Sequence, residues 1–301
     1  MPCYHPITCY KPTSVHAKKT GCKKLCFDKS KAYDHDEIQI NCNQCIGCRL
    51  ERSRQWAIRC THEAQMHDQN CFITLTFDPM HAPDDMSLDV RHFQLFMKRL
   101  RKHYSLKKIR FYHCGEYGEK NGRPHFHAIL FGLDFEDKKL WKIENKQRLY
   151  RSAILEKLWP YGFSSVGSVT FQSTAYVARY ILKKQTGEQA DDHYFDSLTG
   201  VYLKPEYNTM SRRPGIGKTW YDKYKDDVYP HDYVVLNGKK MKPPKYYDTM
   251  LEKDRPYEFD EIKFERLDNG KKHEQNNTPE RLHVRETVQK AKLKQLPRNL
   301  N

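Results

Sequence analysis

Apolar and polar positions change period several times along the chain, and the changes outline its elements. Up to about residue 44 the chain is polar, basic and rich in cysteine, with little periodicity. From about Ile46 to His67, Ile46, Leu50, Ala57, Cys60 and Ala64 share one side of a predicted helix, with Arg49, Arg52 and Arg59 elsewhere. Cys71–Phe77 (CFITLTF) then alternates as a strand does, and Asp78-Pro79 stops it. Residues 88–103 predict a second helix, with Phe93, Phe96, Met97 and Leu100 at helical spacing. Two strands follow, Ile109–Cys114 and Phe126–Phe131, joined by a glycine-rich turn from Gly118 to Gly122. A helix around Tyr150–Trp159 ends at Pro160 and Gly162, a strand fits Ser165–Phe171, and a helix fits Ser173–Lys184.

Leaving out the first helix, this order is βαββαβ followed by a helix. It is the ferredoxin-like or RRM-like arrangement, an α+β fold with a central antiparallel sheet and helices on one face. Beyond about residue 186 the periodicity weakens. Tyr233–Leu236 and Lys239–Lys242 flank Asn237-Gly238, which predicts a type I′ hairpin. Residues 251–277 are charged and expected to be poorly ordered. Thr278-Pro279-Glu280 then reads as an N-cap, first-turn proline and acidic residue opening a basic helix. The division that follows is a Cys-rich segment with the basic helix (1–68), a core (69–190), a basic extension (191–250) and a charged tail with a terminal helix (251–301). No internal repeat is evident.

Composition narrows the class. Hydrophobic residues make up 38% of the 301, enough for a real core, while 53 Lys+Arg against 38 Asp+Glu leave a net charge of +15. Such an excess points to a polyanionic partner, most commonly nucleic acid, though ribosome-associated and membrane-surface proteins share it. The 20 tyrosines and 14 phenylalanines favour nucleic acid, because aromatic rings stack on unpaired bases. No apolar run approaches a membrane span, and Met1–His5 lacks the basic and apolar regions of a signal peptide, so a cytosolic location is expected. In that compartment ten cysteines read as thiols or metal ligands rather than disulfides.

The chemistry concentrates in two places. In Pro124-His125-Phe126-His127-Ala128, residues two apart on a strand share a side, so His125 and His127 converge while Phe126 points to the core. Two imidazoles on a rigid strand form half of a divalent-metal site; alone, an H-x-H pair fits two surface histidines equally well. Glu116 ends the preceding strand and can lie beside His125 across the hairpin as a third ligand, or pair instead with Lys120 or Arg123. Two histidines and a carboxylate suit Mg²⁺ or Mn²⁺ holding a phosphate. The second place is the predicted helix AYVARYILKK, where Tyr176 and Tyr180 share a face about 6 Å apart along the axis, with Lys183 beside them. A phenol, with its pKa of about 10, is a poor nucleophile, and a metal-polarised phosphate with a nearby ammonium would answer both halves of that difficulty. An isolated Y-x-x-x-Y more often packs at a core edge; its position after an H-x-H strand in a βαββαβ frame favours the chemical reading.

Together these residues resemble the HUH endonuclease superfamily, in which a histidine pair holds a metal and a helical tyrosine attacks DNA. The two-tyrosine form belongs to rolling-circle initiators of small single-stranded DNA phages. The segments CIGCRLERSRQW (45–56), CGEYGEK (114–120) and MSRRPGIG (210–217) resemble the replication initiators of gokushovirus-type microviruses, and the likeness extends to TPERL (278–282). The resemblance implies His125 and His127 as metal ligands, Glu116 as the acidic third ligand, and Tyr176 and Tyr180 as nucleophiles. Lys183 and Lys184 are equally near candidates for the cation. One tyrosine would nick a single-stranded DNA origin through a 5′-phosphotyrosine, the freed 3′-OH would prime a host DNA polymerase, and the second tyrosine would later cleave so that the displaced strand is joined into a circle. Action in the cytoplasm of a bacterial host is implied, with no membrane involved.

Cys42-x-x-Cys45-x-x-Cys48 leads into the basic helix, and three thiols at that spacing can grip Zn²⁺. The fourth ligand could be Cys3, in an opening segment that also resembles the family's, with Cys9, Cys22, Cys26 and His5 as rivals; Cys48 could instead pack in the first helical turn. Gly215-Ile-Gly217-Lys218-Thr219 fails as a phosphate-binding P-loop because Arg212 stands where a glycine is required. No helicase domain is therefore read, and unwinding would need a host helicase. Arg212, Arg213, Lys218 and Trp220 instead suit a basic, aromatic loop contacting DNA, or a solvated basic loop. Competing readings are a transposase or relaxase, a non-catalytic single-strand binder on an RRM-like sheet, and a zinc-stabilised packaging protein.

Overall fold

The structure, a computed structural model, describes residues 3–13, 25–33, 37–118, 122–144, 147–179, 189–197 and 200–295. Its first elements are β1 (Ile7–Cys9), β2 (Ile38–Ile40), α1 (Ile46–Ala64), β3 (Asn70–Phe77), α2 (Val90–His103), β4 (Arg110–Tyr117) and β5 (Pro124–Phe131). Next come β6 (Lys139–Glu144), β7 (Gln147–Arg151), α3 (Ala153–Leu158), β8 (Gly162–Gly167), α4 (Phe171–Arg179) and α5 (Gln189–Tyr194). Short strands β9 (Phe195–Asp196), β10 (Val201–Tyr202) and β11 (Tyr207–Met210) precede α6 (Lys218–Val228). The chain continues through β12 (Val234–Leu236), β13 (Lys239–Met241), α7 (Lys245–Asp254), α8 (Pro256–Lys271) and α9 (Pro279–Lys294). Two compact units result: one holds the described residues up to Glu51 and from Glu265 onward, the other Arg52–Phe264.

The larger unit is built on an antiparallel sheet in the order β11-β4-β5-β3-β8-β7-β6. Alternation on β3 sends Cys71, Ile73, Leu75 and Phe77 to one face, where they meet Phe126, Ala128 and Leu130 of β5 and Phe93, Phe96, Met97 and Leu100 of α2. Trp159 fills the centre of this core, ringed by Phe77, Phe96 and Phe126. The other face carries Tyr112 and Cys114 of β4 and Ile129 and Phe131 of β5, covered by Cys60 of α1 and Val177 of α4. Helices therefore lie on both faces, not on one as expected. The sign of this is local: all eight residues of β5, PHFHAILF, are buried, as in a central strand covered on both sides.

Three further expectations change. Gln147–Arg151 is a strand of a β6–β7 hairpin rather than the start of a helix, and α3 begins only after Ser152, whose hydroxyl accepts from Leu155 N at 3.1 Å. The strand expected at Ser165–Phe171 is β8, Gly162–Gly167, and Phe171 opens α4. Residues 251–277 are largely helical: α8 anchors itself through Phe259 and Ile262, one turn apart, in a second core with Tyr221, Tyr229, Val234, Leu236 and Tyr247. The hairpin at Asn237-Gly238 is as expected, with φ of 50° and 72°, the positive pair a type I′ turn needs. So is α9, where Thr278 caps Arg281 N and Pro279 sits in the first turn. No helix among the described residues is long and apolar enough to cross a membrane.

Candidate metal site and nucleic-acid surface

The β4–β5 register sets Glu116 opposite His125 and Cys114 opposite His127, so both imidazoles and the carboxylate share the face that α4 covers. Glu116 Oε1 lies 2.7 Å from His125 Nε2 and 2.9 Å from His127 Nε2. The two rings stand nearly perpendicular with centroids 5.0 Å apart. All three residues are buried, at 1% exposure for Glu116, 9% for His125 and 1% for His127. Burial pushes the Glu116 carboxyl up, but the hydrogen bonds and charges of His125 and His127 outweigh it and hold the group well below the usual carboxylate range. It is thus an anion aimed at two ring nitrogens.

The far side of each ring is also held. His125 Nδ1 donates to Arg123 O at 3.1 Å, which assigns the proton to Nδ1. His127 Nδ1 is 3.0 Å from Thr74 Oγ1, on the neighbouring strand, and the ring stacks on Phe72. Each Nε2–H donates to the Glu116 carboxylate; a divalent cation displacing those two protons would meet two imidazole Nε2 atoms and a carboxylate oxygen, a donor set that suits it. The three ligand atoms lie within 4.8 Å of one another. Arg123 donates to Phe77 O at 3.1 Å, and Lys120, the other alternative partner for Glu116, lies outside the described residues.

Tyr176 is on α4, whose start is closed by reciprocal bonds: Thr170 N donates to Ser173 Oγ at 2.8 Å and Ser173 N to Thr170 Oγ1 at 3.1 Å. Val177, buried with Ile129 and Phe131, seats α4 on the sheet face of the histidines. Tyr180, Lys183 and Lys184 lie outside the described residues.

Cys3, Cys42, Cys45 and Cys48 are gathered with their sulfurs within 4.8 Å of one another. Of the rivals for the fourth position, Cys9 is buried with its thiol donating to Ile38 O, Cys26 is bridged to Tyr10 and His5 contacts Glu286; Cys22 lies outside the described residues. Burial raises the Cys45 thiol, yet backbone N–H groups of Cys48 and Tyr4 and the neighbouring sulfurs outweigh it and bring it down to about 7.

The loop 211–217 is held from beneath. Glu63 accepts from Arg110 Nε and, at 2.7 Å, from Gly217 N, where φ is 81°. Arg110 Nη2 also donates to Pro214 O at 2.8 Å. Arg59, clasped between Trp56 and Tyr246 at 4.0 and 3.9 Å, donates to Ile216 O at 3.0 Å. Arg212 and Arg213 project from this support into solvent. Lys218 pairs with Asp222, and Trp220 is half-buried, with one face stacked on His62 at 3.5 Å and its indole N–H donating to Gln65 at 2.7 Å.

Two features escaped the sequence reading. Thr74 could have been found: it is a polar position on the same side of the strand as the histidines' side of the sheet. The Glu63–Arg110 pair joins residues 47 apart and left no local signal.

The family model for replication-associated protein ORF2/G2P matches residues 70–185, a stretch that holds Glu116, both histidines and Tyr176. Replication-associated protein VP4 of Bdellovibrio phage phiMH2K is 34% identical over 258 residues, covering 82% of this chain and 78% of that one. Replication-associated protein ORF2 of Spiroplasma virus 4 is 30% identical over 279 residues, covering 84% and 83%. Replication-associated protein ORF4 of Chlamydia phage 1 is 34% identical over 232 residues, covering 71% of this chain and 54% of its own. No solved structure matches. Identity at this level over most of both lengths makes the chain a member of the gokushovirus-type replication-associated proteins of microviruses.

Proposed function

We propose that the chain is a metal-dependent DNA endonuclease and strand transferase of the HUH kind, which nicks a single-stranded origin to begin rolling-circle replication and later closes the displaced strand. The observation that carries this reading is the buried Glu116–His125–His127 cluster on the sheet face where the Tyr176 helix is seated. The strand order β4-β5-β3-β8, with α2 and α3 as crossovers, supports a ferredoxin-like core beneath it.

His125 and His127 would hold Mg²⁺ or Mn²⁺ through Nε2 and Glu116 through its carboxylate; when bound, the ion supplies Lewis-acid polarisation of the scissile phosphate. Arg123 O accepts from His125 Nδ1, and Thr74 Oγ1 would accept from His127 Nδ1, so that both Nε2 atoms are available to the ion. One phenol oxygen, of Tyr176 or Tyr180, attacks phosphorus; its proton passes to solvent, the P–O3′ bond breaks, and the departing 3′ oxygen takes up a proton. Lys183 follows Tyr180 by three residues in the sequence and is proposed to favour the phenolate by its charge. The tyrosyl phosphodiester keeps the bond energy, so a 3′-OH can reverse the step and no hydrolysis is needed. Arg212 and Arg213 are proposed to contact the DNA backbone; Lys218 and Trp220, expected beside them, are engaged by Asp222 and by His62 and Gln65. Priming of a host polymerase, unwinding by a host helicase and action in the bacterial cytoplasm follow from the same reading.

The test is an end-labelled single-stranded origin oligonucleotide incubated with the protein and Mn²⁺, then run on a denaturing gel. A covalent protein–DNA band is expected, absent in EDTA and in the His125→Ala/His127→Ala variant, which should still bind the oligonucleotide because affinity comes mainly from phosphate contacts. Binding without any adduct from the wild-type protein would mark a non-catalytic single-strand binder and overturn the proposal.

A further inference from the structure

Outside the nicking site, the smaller unit gathers four thiols from two stretches of chain. Antiparallel pairing of Ile7 with Ile40 runs β1 and β2 side by side, so the segment before Ile7 and the segment after Ile40 leave the ladder together. Cys3 lies on the first and Cys42 on the second. Asn43, with φ of 61°, turns the chain at once toward Cys45, and Cys48 follows in the first turn of α1. Asparagine is one of the few residues that adopts that backbone region readily.

The sulfur separations are 3.5 Å for Cys3–Cys42, 3.9 Å for Cys3–Cys45 and 4.0 Å for Cys42–Cys48. A tetrahedron of thiolates with metal–sulfur bonds of about 2.3 Å has edges of about 3.8 Å. These distances are far too long for disulfides, and all four cysteines are free. A cluster of several irons would hold the sulfurs farther apart than this. Backbone N–H groups also point at the sulfurs: Tyr4 N at Cys45 Sγ (3.3 Å), Cys42 N at Cys3 Sγ (3.3 Å) and Cys45 N at Cys42 Sγ (3.2 Å). Such donors stabilise thiolates, the ligand form of cysteine.

The unit needs a fastener. Its buried apolar side chains among the described residues are Tyr4, Cys9, Tyr10, Cys26 and Leu282, too few to order it by burial alone. Next to Cys3, Tyr4 is buried, and His5 Nε2 reaches Glu286 of α9 at 2.9 Å. Fixing Cys3 thus fixes the contact between the opening segment and α9.

We propose that Cys3, Cys42, Cys45 and Cys48 bind one Zn²⁺ as a tetrathiolate, releasing the thiol protons to solvent, and that this ion fastens β1, the start of α1 and α9 into one unit. The site is independent of the Glu116–His125–His127 cluster. Metal analysis of the full-length protein carrying His125→Ala/His127→Ala, purified without chelators, should find close to one zinc per chain. Growth with Co²⁺ should give the visible bands of tetrahedral cobalt bound by thiolates. Cys45→Ser, and separately Cys3→Ser, should lose most of the metal and show lowered protection from proteolysis at residues 3–51 and 279–294. Absence of zinc from the wild-type and His-variant proteins, iron in its place, or full zinc retained in both Cys→Ser variants would overturn the proposal. Nicking activity is not the readout, so a failed adduct assay leaves this result intact.

Discussion

Thr74 Oγ1, 3.0 Å from His127 Nδ1, is the residue through which β3 acts on the proposed metal site. Its hydroxyl can accept from Nδ1–H, and with the Nδ1 proton held there a bound cation could take the Nε2 position that Glu116 now engages. Thr74→Val keeps the shape and removes the acceptor, and losses of about 10–100-fold in metal affinity are usual for such partners. The Mn²⁺ concentration for half-maximal nicking should rise by roughly that factor, with the rate at saturating Mn²⁺ close to wild type and Thr74→Ser restoring the original value. An unchanged Mn²⁺ dependence would deny Thr74 this positioning role. The tyrosines give a second residue-scale prediction. If Tyr176 and Tyr180 alternate, Tyr176→Phe and Tyr180→Phe should each still form an adduct with a short oligonucleotide, because one nucleophile remains. Neither should release closed circles, since the second cleavage occurs while the first phosphotyrosine holds the DNA end, and the double variant should form no adduct. A single variant that circularises at the wild-type rate would reduce the mechanism to one tyrosine. At this scale the sequence was informative wherever a motif is local: H-x-H on a strand and C-x-x-C-x-x-C before a helix need only neighbouring residues to be read.

Elements meet at His62, where α1 touches α6 and α7. The imidazole stacks on Trp220 at 3.5 Å, its Nδ1 lies 2.9 Å from the Tyr247 hydroxyl, and burial pushes its pKa down to about 3. In the unfolded chain it titrates near the ordinary value of about 6.5. Between those values the unfolded state binds the extra proton, so stability rises with pH across this window and is lost as pH falls from about 6.5 toward 3. The slope from this one group approaches about 1.4 kcal/mol per pH unit. Urea unfolding at pH 7.0, 6.0 and 5.0 should show the decline, and His62→Phe, which keeps a stacked ring but cannot titrate, should be less stable at pH 7 with a flatter profile. Parallel profiles for the two proteins would refute the assignment. Element boundaries were harder to read than residues. The β6–β7 hairpin, with exposed Leu140, Trp141 and Ile143, shows no buried stripe, so its alternation carried no signal. In α8 the charged surface hid two anchors, Phe259 and Ile262, whose burial depends on a core supplied by α6, α7 and the β12–β13 hairpin.

For the whole molecule, with a net charge of +15, the proposed binding to single-stranded DNA should weaken steeply with salt. Arg212 and Arg213 stand exposed on a loop that Glu63, Arg59 and Arg110 brace, so their loss should remove phosphate contacts without disturbing the fold. Each contact to a single strand contributes about 0.7 to the slope of log affinity against log salt, so Arg212→Ala/Arg213→Ala should lower its magnitude by about 1.4. Fluorescence anisotropy at several salt concentrations measures it, and an unchanged slope would remove the two arginines from the interface. The sequence by itself determined the α+β class, the main strands and helices of the sheet, the shared side of His125 and His127 and the capped start of α9. Each of these follows from period, turn chemistry or caps within a few residues. Only the tertiary structure decided that both sheet faces are covered, that Thr74 holds His127, that Glu63 and Arg110 support the 211–217 loop and that Cys3 completes the thiol cluster. Those depend on strand pairing and helix packing between segments tens of residues apart, where the chain's local pattern carries no record of which distant surface will come to meet it.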